Sequence, residues 1–354
     1  MNERPGLVIL FGSGETSPSG RKVHEWLLHQ LPPPITVAVL ETPAGFQPNS
    51  ALVAEEVADF LRVRLQSYRA RVTVVPARKR GTAFSPDDPA ILAPLLRARA
   101  LFLGPGSPTY AVRQLEGSLA WGYVQARHRL GAAIVLASAA TIAASRHALP
   151  VYEIYKVGAD LHWRAGLDLL GPYGLSLVFV PHWDNAEGGA GLDTRRCFMG
   201  QARFRELLRL LPRTSTVVGI DEHTALAIDL AVGDCRVMGR GGVTLLARGR
   251  EARFAGDQTF PAAELGPLHL PEPGDGLPPQ AWTAVLAAVE AEPEAPEAPS
   301  AEVSALVEAR EAARARRDWP AADSLRQRIL GLGWEVADTR EGPRLAPARA
   351  RREP

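Results

Sequence analysis

Three residue types that together can cleave an amide bond stand at turn positions of this sequence. Ser138 closes the apolar run "AAIVLA" (132–137) and opens an alanine-rich helical stretch. His182 follows the run "LSLVFVP" (175–181). A serine hydroxyl is a poor nucleophile until a base takes its proton, and an imidazole is the usual base. A carboxylate must then hold the imidazole in the right tautomer. Glu153 lies between Ser138 and His182 in the chain and is the first choice, with Asp160 and Asp184 as rivals. His147, His162 and His223 are less well placed, because none directly follows a long apolar run.

An acyl-transfer site also needs donors for the oxyanion. The run "ALFLG" (100–104) leads into "PGSPTYAVRQL". Gly104 and Gly106 leave backbone N–H groups uncovered just before a helix, with Ser107 as its N-cap. The N–H of Ala139, at the start of the helix after Ser138, is the natural second donor. Asp221 and Glu222 form a paired acid at a strand end, and Glu222 is read as pocket wall.

These positions require a scaffold that brings strand ends to one edge. The short apolar runs 7–11, 36–40, 72–76, 100–104, 132–137, 175–181 and 215–221 are continuous rather than alternating, as in strands buried on both faces of a parallel sheet. Helical stretches over 20–31, 48–69, 89–98, 108–129, 139–147 and 195–211 alternate with them. This predicts a doubly wound α/β layer with its site at the C-terminal edge of the sheet. Residues 222–256 read as an antiparallel β-meander with glycine-containing turns. The expected boundaries are an α/β domain over 1–256, a Pro-rich linker with a short helix over 257–301, a helical hairpin over 302–346 and a frayed basic tail over 347–354.

Composition narrows the function classes. The chain has 354 residues and a net charge of +1, which argues against capture of nucleic acid or anionic membrane by the whole surface. Lys22, Lys79 and Lys156 are its only lysines, and with 32 Gly and 30 Pro this reads as the usage of a GC-rich bacterium. Cys197 and Cys235 have neither disulfide nor metal-ligand spacing, so no metal is expected. "GSG" (12–14) lacks the third glycine of a dinucleotide fingerprint, and no cofactor is expected either. No apolar run is long enough to span a bilayer, and "GLVILFG" is too short for a secretory leader, so a cytoplasmic location is expected.

Four stretches carry a family resemblance over residues 5–255: "LFLGPGSPTYAVRQL", "LASAATIA", "VFVPHWDN" and "GIDEHTALAID". Together they resemble the peptidase E and cyanophycinase family of serine peptidases, whose domain is similar to class I glutamine amidotransferases. The resemblance implies that Ser138 is the nucleophile, that His182 is the base and that the third residue is an acid between them, for which Glu153 is nearest. It implies hydrolysis of a small peptide or amide. The family's nucleophile elbow carries glycines where this chain has Leu136 and Ala140. Glutamine amidotransferases proper use a cysteine nucleophile, and neither cysteine stands at the elbow.

The C-terminal stretch "ALVEAREAARARRDWPAADSLRQRILGLGWEVADTREGPRL" resembles the extreme C-terminal region of cysteinyl-tRNA synthetases. Arg310, Arg314, Asp318, Trp319, Ala322, Asp323 and Arg326 fit the helical half of that region, and Gly333, Asp338, Thr339 and Gly342 fit its final, non-helical half. The resemblance implies RNA or tRNA contact through residues 302–346. With no synthetase catalytic domain in the sequence, aminoacylation is not expected. The alternative to a hydrolase is therefore a relative that keeps the fold without the activity and binds a small ligand or RNA. The sequence is compatible with a homodimer and sets no oligomeric state.

Overall fold

The computed structural model describes residues 4–291, 300–339 and 342–347. The chain forms two compact units, Met1–Ala291 and Glu292–Pro354.

The first unit is built on an eight-stranded sheet. Strands β1 (Val8–Phe11), β2 (Thr36–Leu40), β3 (Arg71–Val75), β4 (Ala100–Leu103) and β5 (Ala133–Ala137) run parallel in the order β1-β5-β4-β2-β3. Helices α1 (Pro18–Gln30) and α2 (Ser50–Asp59) follow β1 and β2. Helices α3 (Pro89–Leu92), α4 (Pro108–Leu115) and α5 (Leu119–Arg129) flank β4, and α6 (Ala139–Ala143) follows β5. The expected single helix over 108–129 is broken at Gly117, whose φ is +64°, and restarts on an N-cap from Ser118.

The continuous apolar strands are explained by two cores. Ile9, Phe11, Val39, Phe102 and Val135 bury one face of the sheet against α1 and α2. Val8, Leu10, Leu40, Leu101, Leu103, Ile134 and Leu136 bury the other against α4, α5 and α6. Burial on both faces is what keeps polar residues off these strands.

Beyond α6, a two-residue ladder of β6 (His147–Ala148) and β7 (Arg164–Ala165) encloses α7 (Val151–Tyr155). The expectation of one sheet is then corrected. Strands β8 (Leu177–Val180) and β9 (Thr216–Ile220), separated by α8 (Gly200–Arg209), leave the large sheet and pair in parallel in a second one. The meander divides between the two. Strands β10 (Thr224–Asp229) and β11 (Asp234–Gly239) extend the large sheet antiparallel from β1, whereas β12 (Gly242–Ala247) and β13 (Arg250–Ala255) join β9. A continuous apolar run reports burial on both faces but not which sheet a strand enters.

The domain boundary is also corrected. Residues 257–291 belong to the first unit rather than to a linker. Strand β14 (Thr259–Pro261) pairs with β11, and helix α9 (Pro279–Glu290) packs on α5 through the fully buried Ala281 and Val285. Residues 292–299 of the expected linker and 348–354 of the basic tail lie outside the described residues. Among the described residues, no helix is long and apolar enough to cross a membrane.

The second unit pairs helices α10 (Ala301–Ala315) and α11 (Trp319–Gly331) and adds an antiparallel hairpin of β15 (Trp334–Thr339) and β16 (Gly342–Pro347). Asp318 caps α11, accepting from Ala321 N at 3.2 Å. Val303, Leu306, Val307, Ile329 and Val336 form its small core. Leu332, at the C-terminal end of α11, is exposed. Arg310 is buried and holds Asp338 with both nitrogens, at 2.8 and 2.9 Å, and Arg314 adds a contact at 2.7 Å. Two arginines of the synthetase-like pattern thus clasp α10 to β15.

Candidate active site

The turn at Ser138 is made by a strand that cannot continue. Leu136 of β5 lies opposite Leu10 and Leu103, and Ala137 lies opposite Phe11. At the next residue the backbone turns sharply: Ser138 has φ +50° and ψ −105° and is the N-cap of α6. A non-glycine residue at positive φ stores on the order of 1–3 kcal/mol and persists only where its surroundings enforce it. Here they do. Ser138 N donates to Phe11 O at 3.4 Å, and Thr141 Oγ1 reaches Phe11 O at 3.1 Å and Leu136 O at 3.0 Å. Ala137, Ala139 and Ala140 are all buried, and their small side chains let strand and helix close on each other. Leu136 and Ala140 both lie in the core cluster on the α4–α6 face, so the turn forms without glycines.

His182 also has positive φ, +50°, two residues after the end of β8. Its N–H donates to Gly12 O at 3.3 Å, and Gly12 N donates to Thr224 O at 2.9 Å. The loop after β1 thus threads between the ends of the two sheets. Gly12 is required there, because a Cβ would lie 2.1 Å from Asp221 O. Although β5 and β8 belong to different sheets, Ser138 Oγ and His182 Nε2 stand 3.0 Å apart.

The acid on the other side of the imidazole is Glu222, whose Oε1 is 2.9 Å from His182 Nδ1. Asn185 Nδ2 donates to the same oxygen at 2.9 Å, and Asn185 is fully buried. Asp184 accepts from the backbone N–H of Glu222 at 2.7 Å and so fixes the residue that carries the acid. The hydrogen bond from His182 holds the Glu222 carboxyl below its ordinary range, against the opposing effect of burial and with help from Asn185. An ionised carboxylate on Nδ1 leaves Nε2 facing the serine hydroxyl as acceptor.

The expectation for Glu153 is corrected. It sits on α7, where Oε1 accepts from Thr109 Oγ1 at 2.6 Å, and Oε2 is buried with no partner among the described residues. Its carboxylate belongs to the start of α4, not to His182. Asp160 contributes its main-chain oxygen to the His162 ring, 2.8 Å away. Asp221 is buried and accepts from Gly242 N at 2.8 Å and from Arg253 at 2.5 Å, which fastens β9 to β12 and β13. The local signal for Glu222 is its place one residue beyond the buried Asp221 at the end of β9.

The glycine-rich turn after β4 matches its expected shape. Ser107 caps α4, accepting from Tyr110 N at 3.2 Å. Gly106 has φ +150°, and a Cβ on it would lie 1.9 Å from Pro43 O. Ser107 N is taken by Pro43 O, whereas the N–H groups of Gly106 and Ala139 have no acceptor among the described residues. Gly104 lies in the same turn, and α4 packs against α6. Both cysteines are buried with thiols pushed up to about 12 by that burial, which removes them as nucleophiles. No group of three or more potential metal ligands occurs among the described residues.

No family model matches the chain. It is 49% identical over 47 residues to a cysteine–tRNA ligase of Methanosarcina acetivorans, covering 13% of this chain and 10% of the ligase. With the ligase of Rubrobacter xylanophilus it is 52% identical over 45 residues, again covering 13% and 10%. The chain therefore spans about a tenth of the length of these ligases. A putative peptidase E protein of Listeria monocytogenes superposes with a TM-score of 0.43 at 14% identity, covering 69% of this chain and 98% of that one. A peptidase from an acI-B1 actinobacterium superposes with a TM-score of 0.59 at 19% identity, covering 74% of this chain and 98% of that one. The chain shares the fold of that peptidase: a large, mostly parallel central sheet with helices on both faces and added antiparallel strands.

Proposed function

We propose that this protein is a serine hydrolase of the peptidase E and cyanophycinase kind, cleaving a peptide or amide bond of a small substrate. The observation that carries this reading is the unbroken path from Ser138 Oγ through His182 Nε2 and Nδ1 to Glu222 Oε1, at 3.0 and 2.9 Å. Ser138 Oγ attacks the carbonyl carbon while His182 Nε2 takes its proton. His182 then returns that proton to the departing amine as the C–N bond breaks. Water, deprotonated by the same imidazole, releases the acyl group and restores Ser138. Glu222 stays ionised and keeps the imidazole oriented. The uncovered N–H groups of Gly106 and Ala139 are the assigned oxyanion donors. The base contributes about 10²–10⁴-fold and each donor about 10²–10³-fold.

A small-ligand or RNA-binding protein without activity has less support, because Arg310 and Arg314 are both engaged by Asp338. The test is a library of dipeptides and aminoacyl amides with released amine as readout. Turnover that vanishes in Ser138→Ala is the expected result. Turnover that survives in Ser138→Ala overturns the assignment.

A further inference from the structure

Arg196, Cys197 and Phe198, shortly before α8, have φ of +62°, +56° and +67°. Residues with a Cβ enter this left-handed region rarely, and then singly. Three in succession, none of them glycine, persist only where the surroundings enforce them. Here the segment that carries His182 does so. Arg196 N donates to Trp183 O at 2.9 Å, and Cys197 N donates to His182 O at 3.1 Å. The Arg196 guanidinium also donates to Trp183 O at 2.9 Å and lies over the Trp183 ring, 3.8 Å from its centre. Cys197 is buried, and Phe198 N donates to Thr194 O at 2.8 Å.

This strained turn sets Phe198 beside the imidazole. The ring centres of His182 and Phe198 are 6.2 Å apart, with 47° between the planes. Phe198 in turn meets Tyr155 of α7, at 5.3 Å between ring centres and 36° between planes. Both aromatic residues are only partly buried, so each keeps apolar surface in water. Helix α7 is also tied to the other side of the site. Its Glu153 accepts from Thr109 Oγ1 at 2.6 Å, in the first turn of the helix that follows Gly106. The acids near the imidazole already have their hydrogen bonds: Glu222 with His182 and Asn185, and Glu153 with Thr109. What the chain leaves uncovered beside His182 is therefore aromatic surface.

We propose that Phe198 and Tyr155 form a subsite for an apolar side chain, aromatic or branched aliphatic, on the leaving-amine side of the bond attacked by Ser138. This rests on the hydrolase reading of the same site. Proton transfer sets the side. His182 Nε2 must reach the departing nitrogen to return the proton, so the amine half of the substrate lies nearest the imidazole. A side chain on that amine then meets the rings beside His182. Its burial there takes its own apolar surface and theirs out of water. A glycine leaves the rings wet, and a charged side chain pays desolvation with no partner to offset it.

The test is a matrix of dipeptides in which both residues vary independently, with the released amino acid as readout. The N-terminal residue cleaved fastest is then held fixed. With it, kcat/KM for a C-terminal Phe or Leu over that for Gly should be on the order of tenfold or more in the wild type. The ratio should fall toward one in Phe198→Gly, which removes the ring and suits a φ of +67°. It should fall in part in Tyr155→Ala, which decides if Phe198→Gly does not fold. A Phe198 that only orients the imidazole would cost every dipeptide alike and leave the ratio unchanged. An unchanged ratio in the folded variant, or a ratio near one in the wild type, overturns the proposal. Folded wild type that cleaves no dipeptide in the matrix overturns instead the peptide-hydrolase reading on which the subsite rests.

Discussion

Glu222 Oε1 lies 2.9 Å from Nδ1 of His182, although the two residues are 40 positions apart and Glu222 comes after the histidine in the chain. The imidazole is therefore oriented from the end of β9 in the second sheet, while Ser138, 3.0 Å from its other ring nitrogen, closes a strand of the first. Replacing Glu222 by Gln should keep the fold and lower kcat by about 10²–10⁴-fold, because the neutral amide no longer selects the tautomer with Nε2 free. Glu153→Gln should leave kcat close to wild type, since that side chain bonds Thr109. Steady-state kinetics on the two variants separates the two carboxylates.

The same contact gives stability a pH dependence. The Glu222 carboxyl is held below its ordinary value in the folded chain, chiefly by His182. Its contribution is fully present above the unfolded value of about 4.3 and is lost as pH falls through the lower folded value. Denaturant midpoints measured across this range should fall less steeply toward acid in Glu222→Gln than in the wild type.

The strained serine sets up a comparison that leaves activity aside. Ser138→Ala and Ser138→Gly both remove Oγ, but only glycine accepts φ +50° and ψ −105° without steric cost. The glycine variant should be more stable than the alanine variant by about 1 kcal/mol. Chemical unfolding of the two proteins checks this.

Leu136 fills the space beside the turn at Ser138. It is buried in the core with Leu10, Leu103 and Ala140. Leu136→Ala should cost about 2–5 kcal/mol through lost burial and the cavity left behind. A variant as stable as wild type would mean that this side chain does not fill the space beside the turn.

In the second unit, Asp338 neutralises the buried Arg310. Asp338→Asn should destabilise that unit by roughly 2 kcal/mol, because it leaves a guanidinium with weakened partners. Faster amide exchange across 301–339, with the first unit unaffected, is the expected signature.

Much of this arrangement is legible in the sequence, and the missing parts have physical causes. Ser138 and His182 stand directly after apolar strands, and a strand end is where a parallel sheet presents its side chains to a ligand. Glu222 is legible only as a pocket-wall acid, because chain order does not report which strand ends meet. The apolar runs 175–181 and 215–221 look like the other buried strands, so nothing local marks them as a second sheet. Helix α9 reads as part of a linker because Ala281 and Val285 make a stripe too short to reveal that it packs on α5. Arg310 lies on the apolar face of its helix, whereas its partner Asp338 lies on β15, beyond the whole of α11, a pairing that the helical pattern does not encode.

Labelling by a neutral fluorophosphonate, mapped by mass spectrometry, tests the Ser138–His182–Glu222 assignment most directly. A single adduct on Ser138 is expected, formed about 10²–10⁴-fold more slowly in His182→Ala and absent in Ser138→Ala. A folded wild-type chain that takes no adduct, or takes one at a rate indifferent to His182, would contradict the account.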